Sequence, residues 1–328
     1  MKINPSKIRL EASTACQLKC PACPNTDGSI ARELGIKILK FENFKKIVDS
    51  NPWIRSIELS NWGEIFLNRD LLRIAKYAYQ KKIVLNAGNG VNLNTVKEDM
   101  LEALVKYRFG FISCSIDGSS RATYKIYRKG GDFDTVIANI KKINEFKAEY
   151  RSTLPVLHWQ FIVFEHNEHE IIKARQMAHK LGMGFQVKLP YGDFSSVRNK
   201  DRVRKLSGIG AVSRKEYQEK YKKPYFIKNT CYELWANPQI NCDGRVLGCS
   251  RNYWGDYGNA LKENLIEVLN NEKMNYARAM LRGQKGPRED IPCTQCRRYN
   301  EMKKSNIWLF SKNPDRRNGC RDSMADRA

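Results

Sequence analysis

The sequence predicts an α/β protein, an incomplete (β/α)6 barrel followed by a small C-terminal domain. Three observations lead to this reading. Short β-branched runs alternate with amphipathic segments from Ile8 to Leu189. Polar residues recur near the C-terminal end of each run, where a purely structural parallel sheet would be apolar on both faces. The cysteines fall into two separated groups, one at the start of the chain and one near its end.

The elements follow in order. Ile8, Leu10 and Ala12 alternate with Arg9, Glu11 and Ser13, the period of a strand. Further strands are expected at Ser56–Asn61, Ile83–Asn86, Phe109–Ile116, Leu157–Phe164 and Phe185–Leu189. Between them lie helices at Phe41–Asp49, Leu71–Lys81, Val96–Tyr107, Asp134–Phe146 and Glu168–Leu181, whose apolar residues recur at three-four spacing. His166 or Asn167 caps the last helix and Gly182 stops it. Strands that alternate with helices imply parallel βαβ units, whose chemistry sits at the C-terminal strand ends. The polar residues there are Glu11, Asn61, Asn86, Ser115 with Asp117, Gln160 and Lys188. Basic residues accumulate from Ser195 to Lys228 with poor apolar periodicity, which reads as a connector, and the tail beyond Asn313 has a disordered composition. The expected division is 1–194 barrel, 195–228 basic connector, 229–312 second domain and 313–328 charged tail.

Composition narrows the class. The chain has 328 residues, 41% of them hydrophobic, enough for a sizeable core. No apolar run reaches the roughly 18–20 residues of a spanning helix, and no signal peptide opens the chain. A cytoplasmic protein without membrane association is expected, in which the ten cysteines suit metal ligation better than disulfides. The net charge of +23 suits acidic partners or simply a solvated basic surface.

Cys16, Cys20 and Cys23 are spaced C-x3-C-x2-C on the loop leaving the first strand. Three thiolates so close can hold a four-iron cluster and leave one iron open. Incidental buried thiols or part of a zinc site are the alternatives. In the second group, Cys231 and Cys249 flank a probable turn at Asp243-Gly244-Arg245-Val246, and Cys293-Thr294-Gln295-Cys296 follows. Four thiolates suit either zinc or an iron–sulfur cluster, and the wide first spacing argues against a zinc ribbon. Of the remainder, Cys114 reads as core, Cys320 as an inert tail thiol, and Cys242 as a spare thiol or substitute ligand.

The first motif resembles the signature of the radical S-adenosylmethionine (SAM) superfamily, in which the open iron chelates the amino and carboxylate groups of SAM. That resemblance implies a partial (β/α)6 radical SAM barrel with a small C-terminal twitch/SPASM-like domain. It extends to Trp62-Gly63-Glu64, similar to a Gly-Gly-Glu element in which Glu64 would hold the SAM amino group. It extends also to Ser113-Cys114-Ser115-Ile116-Asp117-Gly118, implying that Ser115 reaches the ribose or methionine side and that Asp117 orders the loop. Tyr127-Arg128-Lys129-Gly130-Gly131 implies that Arg128 pairs with the SAM carboxylate, a contact suited to a guanidinium. Ala22 takes the position beside SAM where the family often has an aromatic, and Gln160, in Trp159–Val163, would line the adenine side. Cys231, Cys249, Cys293 and Cys296 resemble the ligands of a single auxiliary [4Fe–4S] cluster.

The implied cofactors are thus SAM and two [4Fe–4S] clusters, with a flavodoxin- or ferredoxin-type electron donor. The implied chemistry is reductive cleavage of SAM to a 5′-deoxyadenosyl radical that abstracts hydrogen from a small hydroxylated substrate such as a sugar, aminocyclitol or nucleotide-sugar; the basic balance suits an anionic or a polyhydroxylated one. Oxidation of an alcohol to a carbonyl is favoured. Epimerisation, with Cys242 or Cys249 as hydrogen donor, is the alternative, and peptide maturation is a further one. With only seven residues before the first strand, no leader-binding domain is expected. A zinc-containing nucleic-acid-binding protein is the remote reading, since it requires the first motif to be incidental.

Overall fold

A computed structural model of the chain describes residues 2–190, 194–222, 225 and 227–310. Seven parallel strands form one sheet in the order β6-β5-β4-β3-β2-β1-β7. They are β1 (Lys7–Leu10), β2 (Ser56–Glu58), β3 (Val84–Val91), β4 (Phe111–Ser115), β5 (Val156–Ile162), β6 (Gly184–Lys188) and β7 (Gln239–Ile240). Helices alternate with them: α1 (Ser29–Leu34), α2 (Phe41–Ser50), α3 (Leu71–Gln80), α4 (Glu98–Lys106), α5 (Arg121–Tyr127), α6 (Phe133–Glu149) and α7 (Ile171–Lys180). The parallel order of consecutive strands makes this an open α/β fold of the kind expected.

The sequence pattern explains the packing. Ile8, Leu10, Ile57, Leu85, Ile112, Leu157 and Phe161 are fully or nearly fully buried within the sheet. Against them lie the apolar stripes of the helices, such as Phe44, Ile47 and Val48 on α2 and Val136, Ile140 and Ile143 on α6. Asn167 is buried, but its side chain serves the strand ends rather than a helix cap. It accepts from Phe164 N and donates to Ile162 O and Asp117 O. Gly182 ends α7 with a left-handed φ of 66°.

Several expectations change. β3 runs on past the expected end at Asn86, through Gly88 and Gly90 to Val91. Asn86 therefore lies within the strand, bonded to Ser56 Oγ at 3.0 Å, and Asn92 occupies the strand end. The 195–228 stretch is helical in part, with α8 (Lys200–Leu206) and α9 (Arg214–Tyr221) capped by Asn199 and Ser213. Of the connector, Lys223 lies outside the described residues, as do Cys320 and the 313–328 tail.

The seventh strand comes from beyond the predicted barrel. Arg9 N and Glu11 N bond to Pro238 O and Ile240 O at 3.0 and 2.9 Å, and Arg9 Nε reaches Gln239 Oε1 at 2.9 Å. By compactness the chain divides into residues 1–270 and 271–328. The first unit includes α10 (Ile227–Ala236), with Cys231, the turn carrying Cys249, and α11 (Leu265–Leu269). In the second, α12 (Glu272–Leu281) precedes a short 3-10 turn, Pro292–Gln295, and α13 (Arg297–Ser305). Tyr299 and Met302 are its buried residues on α13, and Arg288 makes paired contacts of 2.6 and 2.7 Å to Glu272. No helix among the described residues is long and apolar enough to cross a membrane.

Candidate functional site

The loop after β1 carries Cys16, Cys20 and Cys23. Cys20 belongs to a buried cluster with Leu18, Tyr127 and Phe164, against which Cys16, Ala22, Cys23, Ile162 and Phe194 pack. The C-x2-C turn closes with Cys23 N donating to Cys20 O at 3.1 Å, and Cys296 N to Cys293 O at 3.0 Å closes the later one in the same way. Cys16, Cys20 and Cys23 are free thiols. Burial pushes the Cys16 thiol up to about 11, and nearby Glu64, Cys20 and Cys23 add to the rise. Three unpaired thiols in one packed shell suit ligation, which requires thiolates and offsets their burial. No three His, Cys, Asp or Glu side chains among the described residues converge as ligands of a single metal ion do. The soft sulfur donor set fits the wider span of an iron–sulfur cluster.

Backbone close to that loop comes from the end of β2. At Gly63 a Cβ would lie 2.2 Å from Ser13 O, 2.5 Å from Ala15 O and 2.7 Å from Thr14 C. Glycine is required there because the two loops touch main chain to main chain. Glu64 N donates to Ala15 O at 2.7 Å, and Oε1 of the buried Glu11 carboxyl accepts Trp62 N and Gly63 N at 3.1 and 3.4 Å. Trp62 turns its ring away, onto Tyr253 at 5.4 Å and the cluster of Ile30, Leu34 and Leu247. Glu64 Oε2 accepts Asn92 N at 2.6 Å and Oε1 accepts Phe66 N at 3.2 Å. Its carboxyl is raised to about 7 by burial, against those backbone donors.

Arg128, at the end of α5, closes the other side. Its Nε donates to Asp117 Oδ2 at 2.6 Å and its NH1 to Cys20 Sγ at 3.7 Å. Burial opposes that charge, yet Asp117 and the Cys20 thiol hold the guanidinium ionised, well above its ordinary range. Asp117 Oδ1 accepts Ile162 N at 2.6 Å, which ties the β4 exit to β5. Next to them Ser115 and Gln160 are buried, and Gln160 Oε1 accepts from the Lys188 ammonium. Burial lowers Lys188 to about 8. Gly90 has φ 130°, and a Cβ there would meet Ser115 Oγ at 2.5 Å.

Sequence reasoning overlooked Asn92 and Gln17. Asn92 Nδ2 lies 4.0 Å from Cys16 Sγ, and its Oδ1 accepts from Gln17 Nε2 at 2.9 Å. Only the true end of β3, hidden behind its glycines, would have pointed to Asn92. Cys242 is 2% exposed, just beyond β7, with its thiol raised to about 12 chiefly by burial and also by Glu11 and Asp243. Cys231 and Cys249 belong to the first compact unit and Cys293 and Cys296 to the second. In the first, Glu233 of α10 accepts Ser250 N and Ser250 Oγ at 2.5 and 3.0 Å, joining the segments that carry Cys231 and Cys249.

Residues 231–297 match the SPASM iron-sulfur cluster-binding domain, and residues 10–183 match the radical SAM superfamily. GTP 3′,8-cyclase of Clostridium botulinum is 27% identical over 146 residues, covering 43% of this chain and 43% of the cyclase. The match thus spans less than half the length of the curated relative. Streptococcus suis SuiB bound to S-adenosylmethionine aligns with a TM-score of 0.63 at 14% identity, over 90% of this chain and 71% of SuiB. For anSMEcpe with bound AdoMet the TM-score is 0.55 at 16% identity, over 89% of this chain and 86% of that one. For BtrN in complex with AdoMet and 2-DOIA it is 0.52 at 14% identity, over 90% and 94%. At such identities the likeness to these structures is one of fold. The match to 10–183 covers more than half of the chain and includes the three-cysteine loop and the Gly63 and Asp117 turns that brace its surroundings: the chain belongs to the radical SAM superfamily and carries a SPASM domain.

Proposed function

We propose that this radical SAM enzyme oxidises an alcohol carbon of a small hydroxylated substrate, a sugar, aminocyclitol or nucleotide-sugar, to a carbonyl. The observation that supports the reading best is the set of polar groups at the strand ends: Glu11, Asn92, Ser115 and Gln160, all buried, with Lys188 half-buried beside Gln160. Such a lining offers hydrogen bonds to a ligand rich in hydroxyl groups, and little to an apolar one.

Membership of the superfamily brings SAM and a [4Fe–4S] cluster, and the SPASM domain brings auxiliary iron–sulfur binding. Cys16, Cys20 and Cys23 would hold the first cluster, and Cys231, Cys249, Cys293 and Cys296 a single auxiliary one. When bound, the first cluster and SAM would supply a hydrogen-abstracting 5′-deoxyadenosyl radical, and the auxiliary cluster an acceptor for the second electron that the carbonyl requires. The chain's own residues do the positioning. Arg128, held by Asp117, would pair with the SAM carboxylate through its remaining guanidinium nitrogen. Ser115 and Gln160 would serve the nucleoside. Glu64, which holds the β2 and β3 exits together, would serve the SAM amino group. Lys188 Nζ, lowered to about 8, is suited in its neutral amine form to take the hydroxyl proton as the carbonyl forms.

Epimerisation is the second reading, favoured by Cys242, a buried thiol kept protonated beside Glu11. Anaerobic incubation of the reduced enzyme with SAM and candidate polyols in deuterated water separates the two. A trapped carbonyl product without deuterium supports oxidation. Deuterium at an inverted carbon, lost in Cys242→Ala, replaces it with epimerisation. Turnover of a peptide and of no polyol overturns both.

A further inference from the structure

We infer that Lys19, Lys125 and Lys129 form the docking face for an acidic one-electron donor protein. The inference rests on superfamily membership and holds whichever substrate is used.

Lys19 lies inside the cysteine loop and Lys129 just after α5, yet Lys19 N donates to Lys129 O at 2.9 Å, so the two are neighbours. A Cβ on the adjoining Gly130 would lie 3.6 Å from Gln17 O, which repeats the contact one residue on. Lys125 is exposed in the last turn of α5, as are Lys19 and Lys129. None of the three ammonium groups takes part in an ion pair among the described residues, whereas Arg121 on the same helix is paired with Asp134. Ile126, 41% exposed, stands between Lys125 and the buried Tyr127. An exposed apolar residue in a segment that carries unpaired cations suits an acidic protein partner.

The layer beneath is thin. Cys20 follows Lys19 directly, and Arg128, which precedes Lys129, donates to Cys20 Sγ at 3.7 Å. Leu18 and Tyr127 pack on the same thiol. Electron transfer rates fall steeply with distance, so a donor gains most by binding where one residue separates solvent from a cluster cysteine. The excess of 23 positive charges draws an anionic partner toward the protein, and the three lysines orient it. A polynucleotide is less suited, because it needs a longer cationic track with stacking aromatics.

The test uses the anaerobic holoenzyme and reduced flavodoxin as the acidic donor. Cluster reduction is followed by absorbance in stopped flow, and flavodoxin binding by titration, with dithionite as the small reductant. In Lys19→Glu/Lys125→Glu/Lys129→Glu the flavodoxin rate at low ionic strength is expected to fall about tenfold or more, and its salt dependence to flatten. Flavodoxin binding weakens in parallel, and the dithionite rate stays within about twofold of the parent. The milder Lys125→Ala/Lys129→Ala variant is expected to move both flavodoxin measurements the same way, and it decides the matter if the triple variant fails to retain iron. An unchanged flavodoxin rate and salt slope overturns the inference. So does an equal loss with both reductants, which would make the lysines supports of the cluster loop. Tight binding of an RNA oligonucleotide that flavodoxin does not displace would assign the face to nucleic acid and overturn it as well.

Discussion

Gly63→Ala tests how the two loops at the candidate site are held. The added methyl would sit 2.2 Å from Ser13 O, 2.5 Å from Ala15 O and 2.7 Å from Thr14 C, all main-chain atoms. No rotamer change relieves such contacts, so the β2 exit must move off the β1 exit. Overpacking of this kind costs about 1–3 kcal/mol. Displacement also stretches the 2.7 Å bond from Glu64 N to Ala15 O and the Trp62 and Gly63 bonds to Glu11, each worth about 0.5–1.5 kcal/mol. A total loss of roughly 3 kcal/mol is expected, a large part of the stability of an ordinary domain. Urea unfolding reads it as a lower midpoint with an unchanged slope. Gly286, around which a Cβ meets nothing within 4 Å, supplies the control, and Gly286→Ala should stay within about 0.5 kcal/mol of the parent. Because the displaced loop carries Cys16, the iron content of Gly63→Ala should fall too. If it unfolds within about 1 kcal/mol of the parent and keeps its iron, main-chain contact is not what fixes the cysteine loop.

Other consequences are open to simple measurement. Anaerobically prepared protein should hold about eight irons per chain, and Cys20→Ala about four, with no 5′-deoxyadenosine released from SAM. Asp117→Ala leaves the buried Arg128 guanidinium uncompensated and should cost about 3–5 kcal/mol by chemical denaturation. Asp117→Asn, which keeps an acceptor for Ile162 N, should cost measurably less. Burial raises the Glu11 carboxyl from 4.5 to about 8, against its backbone donors, so the folded state keeps a proton that the unfolded chain gives up. Its contribution is complete below pH 4.5 and is lost as pH climbs toward 8, at up to about 1.4 kcal/mol per unit. Glu11→Gln should flatten that part of the stability profile, and a parent profile that is already flat there would count against a protonated Glu11.

Local pattern was enough to establish much of this protein. The alternation of Ile8, Leu10 and Ala12 marks a strand because its period belongs to the chain itself, and the three-four stripes mark α2, α3, α4, α6 and α7 for the same reason. Cysteine spacing pointed to iron–sulfur chemistry before any fold was known, since three thiols within one loop must share their surroundings. What depends on distant segments meeting was not legible. β7 is two residues long and has no periodicity of its own; it is a strand only because Arg9 and Glu11 offer it unpaired amides. Asn92 escaped notice because the strand was expected to end at Asn86, whereas Gly88 and Gly90 are tolerated in a longer strand whose neighbour Ser115 presses on Gly90. Glycine in a sequence signals freedom, and only the tertiary structure shows whether it is used for a turn or for close approach. The necessity of Gly63, the turning of Trp62 onto Tyr253 and the grip of Asp117 on Arg128 are likewise facts of packing, decided by atoms far apart in the chain.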